Sequence, residues 1–311
     1  MTPTLSVVIP TKNRPVLLSE ALDSVAAQRS SDVEVIVVND GGAPVLDVVR
    51  RYQGILPVRV LDLETSNGPS RARNAALDVV EGDFVGFLDD DDIFLPGHVG
   101  LTMKALADSG AQFCASPALL FDRRIPAAEI VTARPSASHG YVNNLDVLDI
   151  VNPFVINGVV CASPRKNGAR FDVSLSFCED WDMWLRLIKG FDYAYVNQPV
   201  PTTVYFRPPA MQSATNAAGV DSDALMQTYR HYLQICDRWP VGQHTQAAKL
   251  RIFFDLVYAI SFKRMAIGKP VPHFYFNAVA AAFSESLLGD LSDADLRRRI
   301  FTAMDEPAVE F

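Results

Sequence analysis

The sequence predicts an α/β fold, a Rossmann-like and mostly parallel central sheet flanked by helices, followed by a C-terminal helical region. Three observations predict it. Short runs rich in Val, Ile and Phe, each bounded by turn formers, recur at 5–9, 33–38, 58–63 and 84–88, as strands buried on both faces do. Between them apolar residues fall at helical spacing, and beyond about residue 221 the pattern is helical throughout. Hydrophobic residues make up 49% of the 311-residue chain and charged residues 21%, which supplies an ample core and excludes a largely disordered protein.

The first strand, 5–9, ends at Pro10, which lacks a ladder donor. A helix carrying Val16, Leu17, Ala21, Leu22 and Val25 follows. The second strand, 33–38, opens into Asn39-Asp40-Gly41-Gly42 and a helical pattern with Leu46, Val49 and Tyr52. The third, 58–63, leads through Ser66-Asn67-Gly68-Pro69 into a helix with Ala72, Ala75, Ala76 and Val79, and the fourth, 84–88, runs directly into four aspartates. This β-α-β alternation makes the strands parallel, and ligands of such sheets bind at the carboxyl ends of the strands.

A helix is expected over 96–109, whereas 112–157, with its prolines and polar clusters, offers little firm structure. Further strands are expected at 158–163, 193–197 and 202–206, and a helix at 179–189 with Trp181, Trp184, Leu185 and Ile188 on or near one face. Helices at 221–238, 244–267, 271–287 and 292–304 are punctuated by Pro240, Gly268, Pro270, Pro272 and Gly289. The expected division is one domain over 1–215 and a helical region over 216–311.

A net charge of −8 argues against wholesale nucleic-acid binding and for small or neutral partners. Cys114, Cys161, Cys178 and Cys236 form no C-x-x-C pair, so neither a zinc site nor a disulfide framework is expected. The run at 5–9 is too short for a signal-peptide core, and a reducing cytoplasm is expected. The longest apolar candidate, 252–267, is broken by Asp255, Lys263 and Arg264, so no membrane span is expected. Lys249, Arg251, Lys263, Arg264 and Lys269 lie among Phe253, Phe254, Leu256 and Phe262. That mix reads first as a face packed on the catalytic domain or on a second subunit of a homo-oligomer, and second as a peripheral contact with an anionic inner membrane face.

Asp89-Asp90-Asp91-Asp92 carries the strongest chemical signal. Adjacent carboxylates repel one another unless a cation sits among them. Alternate side chains of an extended segment share a face, so Asp89 and Asp91 are expected to converge while Asp90 and Asp92 point elsewhere. Oxygen ligands of this kind suit Mg²⁺ or Mn²⁺ that shares its coordination with water and phosphates; the alternative is a solvated acidic loop or a helix N-cap before Pro96. Thr11, Asn13 and Arg14 after the first strand, and Asp40 after the second, present donors and acceptors suited to a nucleotide. A simple Asp-Gly turn is the competing reading of Asp40. Arg71 and Arg73 open the third helix, where the macrodipole disfavours cations, and an anionic ligand nearby would offset that cost. No GxGxxG or P-loop pattern is present.

VVIPTKNR, VVNDGG, NGPSRARN, FLDDDDIFLP and CEDWDMWLRL, in this order over residues 5–207, resemble the family-2 glycosyltransferases, an inverting group with the GT-A fold. The resemblance implies that Pro10, Thr11, Arg14 and Asp40 line a nucleotide-sugar pocket, with Asn67, Gly68 and Arg71 closing its other side and Asp89 and Asp90 contributing. It implies that Asp89 and Asp91 form the DxD pair, with Asp91 the direct ligand of Mn²⁺ or Mg²⁺, and that Asp92 fills a common acidic position. It assigns the acceptor-activating base to Asp180, with Glu179 in reserve. Displacement at an anomeric carbon needs both a base on the acceptor side and a cation at the departing diphosphate. Trp181 is a candidate to stack on a sugar face, and Trp184 is expected in the core. Where family members carry a His near the last strand, this chain has Pro208 and Pro209, which puts a third protein ligand in doubt. The five histidines (98, 139, 231, 244, 273) show no ligand spacing.

The implied activity is transfer of a hexose-type sugar from a nucleoside diphosphate donor, UDP before dTDP, to an unspecified hydroxyl on a glycan, a lipid-linked or a small acceptor. A sugar-1-phosphate nucleotidyltransferase would want a Gly-rich, basic loop where PTKNRP stands. A nucleotide-sugar-binding protein without turnover would have no need of Asp91 and Asp180 together.

Overall fold

The computed structural model describes residues 4–140, 144–208, 214–272 and 275–307. The chain forms two compact units, Met1–Tyr141 with Phe154–Pro208, and Val142–Pro153 with Pro209–Phe311. The helical unit thus takes in residues 142–153 from the middle of the segment with little sequence signal.

In the first unit, β1 (Leu5–Thr11), α1 (Pro15–Ala26), β2 (Val33–Asp40), α2 (Leu46–Val49), β3 (Val58–Leu63), α3 (Pro69–Val79) and β4 (Phe84–Phe87) alternate as expected. β5 (Ile93–Phe94) and α4 (His98–Ser109) follow, then β6 (Phe113–Ala115), β7 (Ala118–Phe121), β8 (Ala137–His139), β9 (Val159–Ala162), α5 (Glu179–Leu185), β10 (Tyr195–Asn197) and β11 (Thr203–Phe206). Seven strands form the main sheet in the order β10-β6-β9-β4-β1-β2-β3. β1 is parallel to β2 and β4, and β2 to β3; β9 runs antiparallel to β4 and β6, so the sheet is mostly but not wholly parallel.

Three sequence expectations are corrected here. The first strand does not end at Pro10, because β1 continues to Thr11 opposite Asn39. Pairing of β1 with β4 stops at Val8, so the donor that Pro10 lacks is not required by that ladder. β1 and β2 are buried on both faces, but β3 closes the sheet edge and is only partly covered. The segment 112–157 holds three strands, each of three or four residues, too short for a periodic signal. A second sheet, β5-β11-β7-β8, encloses a small core of Ile93, Phe121, Ile125, Ile130, Val204 and Phe206.

The second unit contains α6 (Ala214–Val220), α7 (Ser222–Arg238), α8 (Gln246–Ala266), α9 (Tyr275–Leu288) and α10 (Asp293–Ala303). Residues 271 and 272 are not helical, so α9 is shorter than the 271–287 pattern, and residues 273 and 274 lie outside the described residues. Asp221, Thr245 and Ser292 cap α7, α8 and α10 through side-chain oxygens that accept backbone N–H bonds. Tyr232, Phe254, Tyr258 and Phe283 form its aromatic centre. Arg251 donates to the carbonyls of Asp149, Cys236 and Trp239, and Arg264 to those of Pro270, Met304 and Asp305. Lys249 pairs with Asp293 and Lys263 with Glu306. Four of the five tail cations are therefore engaged within the unit. No helix among the described residues is long and apolar enough to cross a membrane.

Candidate active site

The carboxyl ends of β1, β2 and β4, with the N-termini of α3 and α5, carry the predicted residues. Asp40 ends β2, is buried, and accepts three hydrogen bonds: from Ser66 Oγ at 2.8 Å, Asn67 N at 3.0 Å and Gly68 N at 3.0 Å. A carboxylate has about four acceptor positions, so Asp40 chiefly clamps the 66–68 loop against β2. Gly41 permits that approach. A Cβ there would meet Ser66 N at 2.5 Å, and its φ of +65° is left-handed. Asn13, also left-handed at φ 56°, accepts from Ala43 N at 2.7 Å and ties the β1 loop to the β2 loop. Pro10 is half-buried in β1, and Arg71 lies on the exposed side of α3.

Thr11 Oγ1 donates to Asp90 Oδ2 at 2.7 Å. Arg14 Nη1 donates to both Asp90 Oδ1 at 3.1 Å and Asp91 Oδ2 at 2.9 Å. Asp90 thus points to the β1 loop, as alternation requires. Asp92 does not follow the alternation. Carboxylate oxygens of Asp89, Asp91 and Asp92 lie within 4.8 Å of one another, the only such His, Cys, Asp or Glu group among the described residues. The residues 89–92 turn immediately before β5 rather than extend, with Asp92 N donating to the Asp89 carbonyl at 3.1 Å. Asp92 is then fixed by Phe206 N at 2.9 Å and Asn157 Nδ2 at 3.2 Å. Arg124, stacked on the Phe206 ring, donates to the Asp91 carbonyl and to Glu20.

The electrostatics follow from crowding. Burial, with Asp89 and Asp90 alongside, pushes Asp91 up to about 6 against the pull of Arg14. Burial raises Asp92 well above the carboxylate range, with Asp91 and Asp89 adding to it, and raises Asp90 despite Thr11 and Arg14. Three convergent hard-oxygen donors, with Asp91 and Asp92 raised chiefly by burial, fit a divalent cation of the Mg²⁺ or Mn²⁺ type. Asp92 supplies a third carboxylate that the sequence reading had aimed away from the site. Of the prolines at the family His position, residue 209 lies outside the described residues.

Arg73, which the sequence marks only as a cation at a helix start, pairs with two carboxylates of the site. Only 3% exposed, it donates through Nη2 to Asp89 at 2.7 Å and through Nη1 to Glu179 at 3.0 Å. The offset foreseen for a cation at the start of α3 comes from these two protein carboxylates. Burial alone would lower its pKa, but Asp89 and Glu179 outweigh burial and raise it.

Glu179 and Asp180 start α5, preceded by Cys178 in a left-handed conformation, φ 63°. Such a conformation is costly for a side chain with a Cβ, and it sets the direction in which the helix leaves the loop. Asp180 Oδ1 accepts from Trp181 N at 2.8 Å. Burial and then Glu179 push Asp180 up to about 7, against Arg73. α5 is anchored by Trp184, whose ring meets Phe87, Phe113 and Phe171 at 5.4–6.2 Å. Trp181 is also buried, which removes it as a sugar platform. His98 is structural: buried, bonded to Thr202 at 2.7 Å and stacked on Phe94, it is pushed by burial down to about 3.

The model for glycosyl transferase family 2 matches residues 6–123. YwdF of Bacillus subtilis (strain 168), described as an uncharacterized glycosyltransferase, is 29% identical over 202 residues, 65% of this chain and 73% of that protein. The poly(ribitol-phosphate) beta-N-acetylglucosaminyltransferase TarS of Staphylococcus aureus (strain Mu50) is 42% identical over 91 residues, 28% of this chain but only 16% of TarS. Among solved structures, TarS 1–349 in complex with UDP superposes with a TM-score of 0.60 at 18% identity, covering 96% of this chain and 86% of that one. A mannosyltransferase from Pyrobaculum calidifontis, in complex with GDP-Man and Mn²⁺, gives 0.56 at 16% identity, covering 93% and 75%.

Proposed function

From the premise that the chain is a glycosyltransferase of family 2, we propose that it moves a hexose-type sugar from a UDP-sugar to an acceptor hydroxyl, with a divalent cation and inversion at the anomeric carbon. The observation that carries this reading is the pairing of two carboxylate sites: Asp89, Asp91 and Asp92 converge at the end of β4, while Asp180, pushed up to about 7, heads α5.

Asp91 and Asp89 are the residues that would hold Mn²⁺ or Mg²⁺, with Asp92 buried behind them. A bound cation of this type neutralises charge on a departing diphosphate. The loop clamped by Asp40 presents Asn67 and Gly68 beside the end of β2, where Pro10, Thr11 and Asp40 line the floor for the nucleotide. Arg14, far more exposed than Arg73, and Arg71 are the cations that face an anionic donor. Asp180 takes the acceptor proton. Its pKa lies near neutrality, where a general base is both ionised enough and basic enough to act. Glu179, held by Arg73, is not the base. Attack from the Asp180 side with departure towards the aspartates is a single displacement, which inverts an α-linked donor to a β-linked product. The UDP-bound relative supports uridine as the base, and the Mn²⁺-bound one supports the cation. We assign the catalytic part to the first unit, residues 1–141 with 154–208, rather than to the expected 1–215, and the helical region to 142–153 with 209–311.

The test is UDP release from a panel of UDP-, dTDP- and GDP-sugars with Mn²⁺, Mg²⁺ or EDTA. Turnover of a UDP-sugar that EDTA abolishes and Mn²⁺ restores is expected; turnover that is indifferent to EDTA would remove the cation from the reading.

A further inference from the structure

We propose that Arg73 is a positioning residue that ties the donor side of the reaction centre to the acceptor side, an inference that rests on the transfer reading above. Its two terminal nitrogens are committed to carboxylates from distant parts of the chain, Nη2 to Asp89 Oδ1 at 2.7 Å and Nη1 to Glu179 Oε1 at 3.0 Å. Asp89 opens the carboxylate turn after β4, and Glu179 opens α5 one residue before Asp180. A guanidinium is a planar, rigid fork, so the spacing between those two carboxylates is set by the width of one group.

Three further observations single out this role. Arg73 is 3% exposed and lies across the Phe171 ring at 5.5 Å, so it has no room to swing out towards a substrate. Its Nε is buried with no partner among the described residues, a desolvation cost that the fold tolerates for the sake of the two Nη contacts. It also lies in the first turns of α3, the end of the helix that disfavours a cation. Arg14 differs in exposure and geometry: its side chain is 38% exposed, and it meets its carboxylates through a single nitrogen. Arg14 suits a group that meets a ligand, and Arg73 one that holds the frame. Lysine offers a point charge on a flexible stem and cannot hold both carboxylates in one geometry.

The experiment uses the full chain with UDP release from the sugar donor identified by the panel, and calorimetry with UDP and Mn²⁺ for binding. Misplacing reacting groups by about 1 Å costs up to about 10²-fold in rate. Arg73→Met is therefore expected to lower kcat by about 30- to 100-fold, with donor KM and UDP affinity within about threefold of wild type. Arg73→Lys should recover part of the loss. Glu179→Gln should lower kcat in the same way, and the double variant Arg73→Met/Glu179→Gln should be no slower than the slower single, because both cut one link. UDP affinity that falls in step with kcat makes Arg73 a donor-binding residue and overturns the proposal. Losses that multiply in the double variant also overturn it. Should Arg73→Met fail to fold, Glu179→Gln with unchanged kcat suffices to sink it. Asp180→Asn, run in parallel, separates the two ideas: activity retained there defeats the transfer mechanism, whereas an inactive Asp180→Asn beside an unimpaired Glu179→Gln defeats only the role given to Arg73.

Discussion

In the proposed mechanism Asp180 takes the acceptor proton. Its carboxyl is raised by burial and by Glu179 to about 7. A base must be ionised to accept a proton, so kcat is expected to rise as pH increases through about 7 and to level off above it. Asp180→Asn keeps the shape and removes the acceptor of that proton, and a loss of about 10²- to 10⁴-fold is expected with UDP binding retained. The same shift has a stability consequence. A carboxyl whose folded pKa lies above its unfolded value binds more protons when folded between those two pKa values, so its contribution to stability falls as pH rises from about 4 to 7. Asp180→Asn removes that contribution, and its Tm at pH 8 is expected to equal or exceed that of wild type. A lower Tm at pH 8 would show that the carboxylate is stabilising and that its surroundings differ from those described. Asp89 and Asp91 stood out in the sequence as carboxylates directly after a buried strand, whereas Asp180 was singled out by the family resemblance, since an acidic residue at a helix start also serves the macrodipole. Arg73 was noticed only as an electrostatic oddity, since the carboxylates that neutralise it lie 16 and 106 residues away.

Among the elements, loops after the strands do the positioning, and the main sheet holds them. The 66–68 loop is held by backbone N–H bonds to Asp40 and by the close approach that Gly41 allows. Gly41→Ala places a methyl against Ser66 N in a left-handed backbone, so the loop must move. Nucleotide affinity is expected to fall about tenfold or more, a change of roughly 1.4 kcal/mol, with the pH dependence of kcat unchanged. Calorimetry with UDP checks the first and a pH–rate profile the second. The β-α-β alternation was readable over the first ninety residues because buried parallel strands are nearly continuous apolar runs. β6, β7 and β8 were not, because strands of three or four residues gain their identity from the neighbours they pair with rather than from period. The turn that brings Asp92 beside Asp89 and Asp91 leaves no pattern in the sequence for a related reason: four like residues fit an extended run as well as a turn, and β5 begins only at Ile93.

For the molecule as a whole, a ligand that binds only the folded state stabilises it by mass action. UDP at about 100 times its dissociation constant, measured in the presence of Mn²⁺, is expected to add about 2.7 kcal/mol and to raise Tm by about 5 °C. EDTA or Asp91→Asn should reduce that rise to what UDP alone provides; an identical rise in EDTA would show that the cation plays no part in holding the nucleotide. The sequence by itself determined the class of fold, the strands that lead into the candidate site, the helical character of the last third, and the carboxylates proposed to act there. Each of these rests on short-range pattern: apolar period, turn chemistry and residue type at a strand end. The tertiary structure decided that Asp92 joins the cluster, that Trp181 belongs to the core, that Arg251 and Arg264 turn inward to cap carbonyls, and that residues 142–153 join the helical unit. It also decided that Arg73 bridges Asp89 and Glu179. These are matters of which distant groups meet when the chain is packed, and a burial cost or a charge pair is defined only once both partners are in place.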